Sequence, residues 1–146
     1  MAIKICIGAD HGGFAIKQVI SRYLISKSIE VSDFGTFIDD SVDYPVFAHS
    51  VAKAIHTGEF ELGILVCSSG QGMAITANKY SNVRAALCWN NKISALSRQH
   101  NNANILVLPG RFISVEEAIE ITEAFLAATF EGGRHQNWVS MIGQCL

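Results

Sequence analysis

Leu62-Gly63-Ile64-Leu65-Val66-Cys67-Ser68-Ser69-Gly70-Gln71-Gly72-Met73 reads as a buried strand, a tight Ser/Gly turn and the start of a helix that continues through Ala74 to Lys79. Glycines let a backbone approach a ligand closely, and the free N–H groups at a helix start attract anions. The same positive end favours a thiolate over a thiol. Cys67 is therefore placed as a base or nucleophile beside an anion-stabilising loop. The plainer reading stands beside it, because a strand-end cysteine is commonly a small inert hydrophobe. The stretch alone leaves both open.

Working outward, apolar runs and helical stripes alternate along the chain. Ile3 to Gly8 reads as a first strand, followed by the loop Ala9 to Gly13 and a helix over roughly Gly13 to Ser28. Glu30 to Gly35 is a second strand. A polar loop from Thr36 to Tyr44 ends at Pro45, which suits a first helical turn, and a stripe of Val46, Ala48, Val51, Ala52 and Ile55 runs to Thr57-Gly58. Val83 to Cys88 and Asn104 to Leu108 are strands four and five, with a helix between them that Asn90 or Asn91 can cap. Ser114-Val115-Glu116-Glu117 matches a capping box for a helix reaching about Phe130, and a short helix over about Gln136 to Gly143 follows. Five strands at βα spacing, with continuous apolar strands, predict an α/β doubly wound parallel sheet with helices on both faces and a flavodoxin-like strand order.

Composition narrows the function. The 146 residues suit one domain, and 49% hydrophobic against 16% charged residues argues against disorder. A net charge of −2 gives no electrostatic case for nucleic acid or an anionic membrane as partner. No apolar run is long enough to span a bilayer and no cleavable signal precedes the first strand, so a soluble cytoplasmic protein is expected. Cys6, Cys67, Cys88 and Cys145 contain no C-x-x-C pair, which argues against a zinc ribbon or redox pair, and Cys6 and Cys88 lie in core-like runs.

In an open parallel sheet, ligands bind beyond the carboxyl ends of the strands where the strand order reverses. With strands one and three adjacent there, Asp10 and His11 meet Cys67 and the loop Ser68 to Gly72. His100 lies four residues after Leu96 and seven after Ile93, on the stripe expected to face the sheet, near its helix's end. Arg111 follows strand five on the carboxyl edge, and Gly132-Gly133 suggests a turn that aims Arg134. The glycine pieces complete neither a dinucleotide fingerprint nor a P-loop.

Six segments together resemble the type B ribose-5-phosphate isomerases, within a sugar-phosphate isomerase family that also includes galactose-6-phosphate and allose-6-phosphate isomerases. They are Gly8-Ala9-Asp10-His11-Gly12-Gly13-Phe14, Asp43-Tyr44-Pro45, Cys67-Ser68-Ser69-Gly70-Gln71-Gly72, Ala77-Asn78-Lys79, Ser97-Arg98-Gln99-His100-Asn101 and Glu131-Gly132-Gly133-Arg134-His135. The resemblance implies a Rossmann-like homodimer whose active sites draw residues from both chains, with the tail from about residue 131 contacting the partner. It implies metal-free and nucleotide-free interconversion of ribose 5-phosphate and ribulose 5-phosphate. Cys67 is then the base that moves a proton between C2 and C1, and His100 assists ring opening. The amides of Ser68, Ser69, Gly70, Gln71 and Gly72 form the anion hole, with Ser69 where many members have threonine. Asp10, His11, Tyr44 and Asn101 hold the sugar, and Arg111 and Arg134 the phosphate. Four residues after Arg134 the family often has a second arginine; here that position is Trp138.

The chemistry suits these residues. Removing a proton next to a carbonyl needs a base and donors for the developing oxyanion. A free thiol titrates at about 8.5 and falls near a helix N-terminus, so a thiolate at Cys67 is feasible. Other readings remain open on the residues: a hexose-6-phosphate isomerase of the same family, a non-catalytic nucleotide-binding module, or a thiol enzyme pairing Cys67 with His100.

Overall fold

The structure, a computed structural model, describes residues 3–144; Cys145 lies outside the described residues. Five parallel strands, β1 (Lys4–Ala9), β2 (Glu30–Asp33), β3 (Leu62–Cys67), β4 (Ala85–Leu87) and β5 (Ile105–Pro109), form one sheet. Six helices connect and flank them: α1 (Phe14–Ser26), α2 (Tyr44–His56), α3 (Gln71–Ala77), α4 (Asn91–Asn101), α5 (Val115–Ala127) and α6 (Arg134–Ile142).

The central strands are apolar on both faces because both faces are covered. Ile5, Ile7, Ile64, Val66, Leu106 and Leu108 pack against Ile16, Ile20 and Leu24 of α1 and Ile121 and Phe125 of α5. Cys6, Leu65, Cys67, Ile105 and Val107 face the other way, against Val51 and Ile55 of α2 and Met73 and Ala77 of α3. Cys6 and Cys88 are fully buried. Burial pushes their thiols up, to about 12 and about 11 respectively.

The strand order is β2-β1-β3-β5-β4. As expected, β1 and β3 are neighbours; the flavodoxin-like order, 2-1-3-4-5, does not hold beyond them. The five residues of β5 are all buried, whereas β4 has three residues, all half-buried. The longer, more apolar strand takes the centre and the short one the edge. Asn78 closes that edge: its Nδ2 donates to the Ala85 carbonyl (2.9 Å) and its Oδ1 accepts the Ala85 N–H (2.8 Å).

Local signals act as their chemistry dictates. Asn90 accepts the Ile93 N–H at 2.9 Å to cap α4, and Ser114 with Glu117 forms the full capping box of α5. α4 departs from its expected face. Ser94 and Ser97 point inward, while Leu96 is 40% exposed. Ser94 Oγ donates to the Ile121 carbonyl and Ser97 Oγ to that of Ser94. Small hydroxyls that satisfy themselves on backbone carbonyls give α4 a polar face against α5; of the apolar stripe, Ile93 packs against the core and Leu96 is left exposed.

Candidate active site

The carboxyl ends of β1, β3 and β5 build one cluster. The register pairs Ala9 with Val66 and Cys67 with Pro109, so Asp10, Cys67 and Arg111 emerge from adjacent strands. Asp10 is 6% exposed; its backbone N–H donates to the Val66 carbonyl and its Oδ1 accepts the Gly13 N–H at 3.1 Å. The β1 loop approaches β3 closely: a Cβ on Gly13 would sit 2.3 Å from the Val66 carbonyl oxygen. His11 accepts the Val42 N–H on Nδ1 at 3.2 Å.

After β3 the chain turns through the Ser/Gly loop. Gly70 sits at φ 78°, in the left-handed region that disfavours side chains, and its N–H donates to Cys67 Sγ at 3.0 Å. Ser69 Oγ accepts the Gln71 N–H. The loop is clamped to β5, with the Gly110 N–H on the Cys67 carbonyl (2.7 Å) and the Arg111 N–H on that of Ser68 (3.0 Å). Tyr44, the first residue of α2, lays its ring over Gly72, where a Cβ would lie 2.4 Å from the ring. Asp10, His11, Tyr44, Cys67, Ser68, Ser69, Gly70, Gln71, Gly72 and Arg111 thus share one edge.

The expectation of a lowered Cys67 pKa does not hold. Cys67 is 5% exposed. Burial pushes its thiol up, and the nearby Asp10 charge adds to the rise; backbone N–H groups of Met73, Gly70 and Ser69 only partly offset them. The helix-start donors are present, but desolvation outweighs them.

His100, Asn101 and Arg134 are elsewhere. α4 begins beyond the carboxyl end of β4 and returns, so His100 and Asn101 at its end lie toward the amino edge of the sheet, across the molecule from Cys67. α6 packs against α4 there. His100 and His135 stack with ring centroids 4.2 Å apart and planes 8° from parallel, and each Nε2 is 3.7 Å from the same Glu131 oxygen. The Glu131 N–H donates to the Gln99 carbonyl. Glu131 and His135 escaped the sequence-based site, although their i,i+4 spacing was a signal. Their ligand atoms and that of His100 lie within 4.8 Å of one another. Parallel rings direct their lone pairs side by side, so the cluster as it stands is a stacked pair sharing a carboxylate and not a converging metal cage. The Arg134 guanidinium lies over the Trp138 ring, 5.6 Å from its centroid. Trp138 thus steadies the Arg134 guanidinium.

The chain that places this thiol in a loop of N–H donors matches a known family over most of its length. The Ribose/Galactose Isomerase profile covers residues 5–142. The chain belongs to the Ribose/Galactose Isomerase family. Ribose-5-phosphate isomerase B of Escherichia coli (strain K12) is 43% identical over 139 residues, 95% of this chain and 93% of that protein. The crystal structure of a Thermotoga maritima ribose 5-phosphate isomerase superposes with a TM-score of 0.97 at 46% identity, covering 99% of this chain and 100% of that one. That of Mycoplasma genitalium ribose-5-phosphate isomerase B, with bound ribulose-5-phosphate, gives 0.94 at 44% identity over 97% and 95%. Membership accounts for the five-stranded parallel α/β sheet. Among the described residues, no helix is long and apolar enough to cross a membrane.

Proposed function

We propose that this protein interconverts ribose 5-phosphate and ribulose 5-phosphate. The observation that carries the reading is Cys67 Sγ held by the Gly70 N–H at the floor of the carboxyl-edge cluster, in a chain of this family. The Cys67 thiolate takes the proton from C2 of the open-chain aldose, and the negative charge moves to O1 as the enediolate forms. The loop amides from Ser68 to Gly72 stabilise that oxygen. The resulting thiol returns the proton to C1, O2 becomes the ketone as its proton passes to O1 over the two steps, and the product is an isomer of the substrate. Asp10, His11 and Tyr44 hold the sugar hydroxyls, and Arg111 the phosphate.

One chain holds only half of this site. His100, with Asn101 and Arg134, lies toward the opposite edge, so these residues serve a Cys67 cluster only from a second copy. A homodimer with two composite sites follows, and the tail from about residue 131 belongs to its interface. Free thiols at Cys6, Cys67 and Cys88 support a reducing, cytoplasmic setting.

Mixing variants tests this arrangement. Cys67→Ala and His100→Ala are each expected to lose turnover of ribose 5-phosphate. Unfolding and refolding them together in equal amounts creates heterodimers with one intact and one doubly defective site. About a quarter of normal activity is expected to return for a two-fold dimer at random mixing. No recovery, with heterodimers demonstrably formed, means that the two residues do not meet across an interface.

Trp138→Arg restores a second guanidinium on the Arg134 face. KM for ribose 5-phosphate is expected to fall about three- to thirtyfold, as one charge-assisted phosphate contact warrants, with kcat changed much less. An unchanged or higher KM in steady-state kinetics means that the Arg134–Trp138 stack is already the better phosphate grip.

A further inference from the structure

The amino edge of the sheet holds a second concavity, away from Cys67, that the isomerase reading does not use. It encloses about 490 Å³, within the usual range of small-molecule sites, about 300–1,000 Å³. Arg84, just before β4, and Arg98, from the last turns of α4, both line it, with Glu61, Asn102, Asn104 and Thr129. Each guanidinium is tied to a neutral group. Arg84 Nε donates to the Asn102 carbonyl at 2.8 Å, and Arg98 Nη1 to that of Ala103 at 2.6 Å. Arg98 also lies over the Phe125 ring, 5.4 Å from its centroid. Its Nε is buried with no hydrogen-bond partner. Among the described residues, no carboxylate lies within 4.0 Å of either guanidinium. Burial lowers both arginine pKa values, the Arg84 charge lowers that of Arg98 further, and Glu61 acts against this. Two guanidinium groups that line one cavity without a carboxylate partner among the described residues are the observation an occupant must answer.

We propose that this cavity binds a small phosphate-type oxyanion between Arg84 and Arg98. A guanidinium offers a planar fork of donors that matches phosphate oxygens, and it stays charged under these conditions. An anion there offsets the like-charge pair. The site also lies behind the turn that carries His100 and Asn101, because Arg98 and Asn102 flank those residues in the chain. Asn102 ends α4 in the left-handed region at φ 48°, so an occupant bridging Arg84 and Arg98 holds that turn from its rear. This consequence for His100 rests on the isomerase reading; binding itself does not.

Amide and arginine Nε–H signals followed by NMR during titration of the full chain with inorganic phosphate test the site. Arg111→Ala serves as the background, to weaken phosphate binding at the carboxyl edge. Saturable shifts at Glu61, Arg84, Arg98 and Asn102 are expected at millimolar phosphate, and Arg84→Gln is expected to weaken them at least about tenfold. Glu61 is exposed and makes no ion pair among the described residues, so Glu61→Gln keeps the fold and removes the one acidic group lining the cavity. It is expected to tighten phosphate about three- to tenfold, as loss of a nearby repelling charge warrants. This arm decides the matter if Arg84→Gln fails to fold. A parallel titration with methyl phosphate separates the two sources: tighter binding of the monoester assigns a phosphorylated metabolite, tighter binding of phosphate the free ion. Absence of shifts at the four residues, or equal affinity in Glu61→Gln, overturns the proposal. A bound anion in a protein with no isomerase activity overturns the isomerase reading and leaves the site standing.

Discussion

Cys67→Ala is expected to leave a folded protein whose turnover of ribose 5-phosphate falls by at least about a hundred- to ten-thousandfold, the range for loss of a positioned base. The Cys67 side chain is small, and its removal from a buried site costs about 1 kcal/mol, too little to unfold the domain-sized core around it. Substrate affinity is expected to persist, because Asp10, His11, Tyr44 and Arg111 are untouched. Cys67→Ser is the sharper control. It keeps the volume and a hydrogen-bonding atom, yet a serine hydroxyl is a far poorer proton acceptor than a thiolate, so it is expected to be nearly as inactive. Substantial turnover in either variant, measured as ketose formation, removes Cys67 from the role of base.

The pH dependence follows from the same environment. Burial and the Asp10 charge raise the Cys67 pKa above its ordinary value. With Cys67 as the proposed base, the active form is the thiolate, so kcat/KM is expected to climb with pH across the neutral range and level off only on the alkaline side of an ordinary thiol. A lowered pKa predicts the opposite, a plateau already reached near neutrality. Stability has its own sign. A thiol whose folded pKa is raised holds its proton while the unfolded chain ionises, so its contribution is complete below the unfolded pKa and is lost as pH rises through the folded one. For Cys6 and Cys88 that window runs from about 9 to about 12 and about 11. Thermal unfolding is therefore expected to shift to lower temperature above pH 9; a melting temperature that stays constant there contradicts the burial of these thiols.

What the sequence made legible was the part set by local pattern. Apolar runs ending in glycine or cysteine marked the strands, and adjacency of β1 and β3 was enough to bring Asp10 and His11 to Cys67. Ser114 and Glu117 announced the start of α5 by their chemistry alone. The rest depends on competition between elements. Which of β4 and β5 takes the centre is decided by relative length and burial, and neither strand states that by itself. The inward face of α4 is made by Ser94 and Ser97, which hydropathy scores as polar. The Cys67 thiol is subject to two opposed effects, donors at a turn and desolvation in a core, and only the packed structure says that desolvation prevails. The opposite placement of His100 and Cys67 follows from counting strand and helix directions, yet its meaning depends on a second chain.

The Lys17–Asp33 pair was also invisible to pattern, and its disruption is expected to give the largest loss of stability. Lys17 is fully buried, and its Nζ lies 2.5 Å from Asp33 Oδ2, with the rings of Phe14 and Phe37 at 5.4 and 5.3 Å. The two partners are not equivalent. Asp33 is 28% exposed on its side chain and also accepts the Gly35 N–H on Oδ1. Asp33→Ala leaves a buried ammonium with no counter-charge and only the Gln18 Oε1 at 3.4 Å as acceptor, and is expected to cost about 3–5 kcal/mol. Lys17→Met leaves a carboxylate that keeps one N–H donor and some water, so it is expected to cost less, about 1–3 kcal/mol. The double variant is expected to be more stable than the sum of the two losses predicts, because each single change includes the penalty of the abandoned partner. Urea unfolding of the four proteins reads these values directly, and a Lys17→Met loss larger than that of Asp33→Ala contradicts the asymmetry. The effect reaches the site through the backbone. Asp33 holds Gly35, whose carbonyl accepts the Ala9 N–H at 2.7 Å, and Thr36 returns an N–H to the Ala9 carbonyl at 2.7 Å. Ala9 is the residue before Asp10, and the segment beyond Thr36 carries the Val42 N–H that fixes His11. Under conditions where Asp33→Ala is still folded, KM is therefore expected to rise more than kcat falls, since the groups displaced are those proposed to hold the sugar and not the thiol proposed to move the proton.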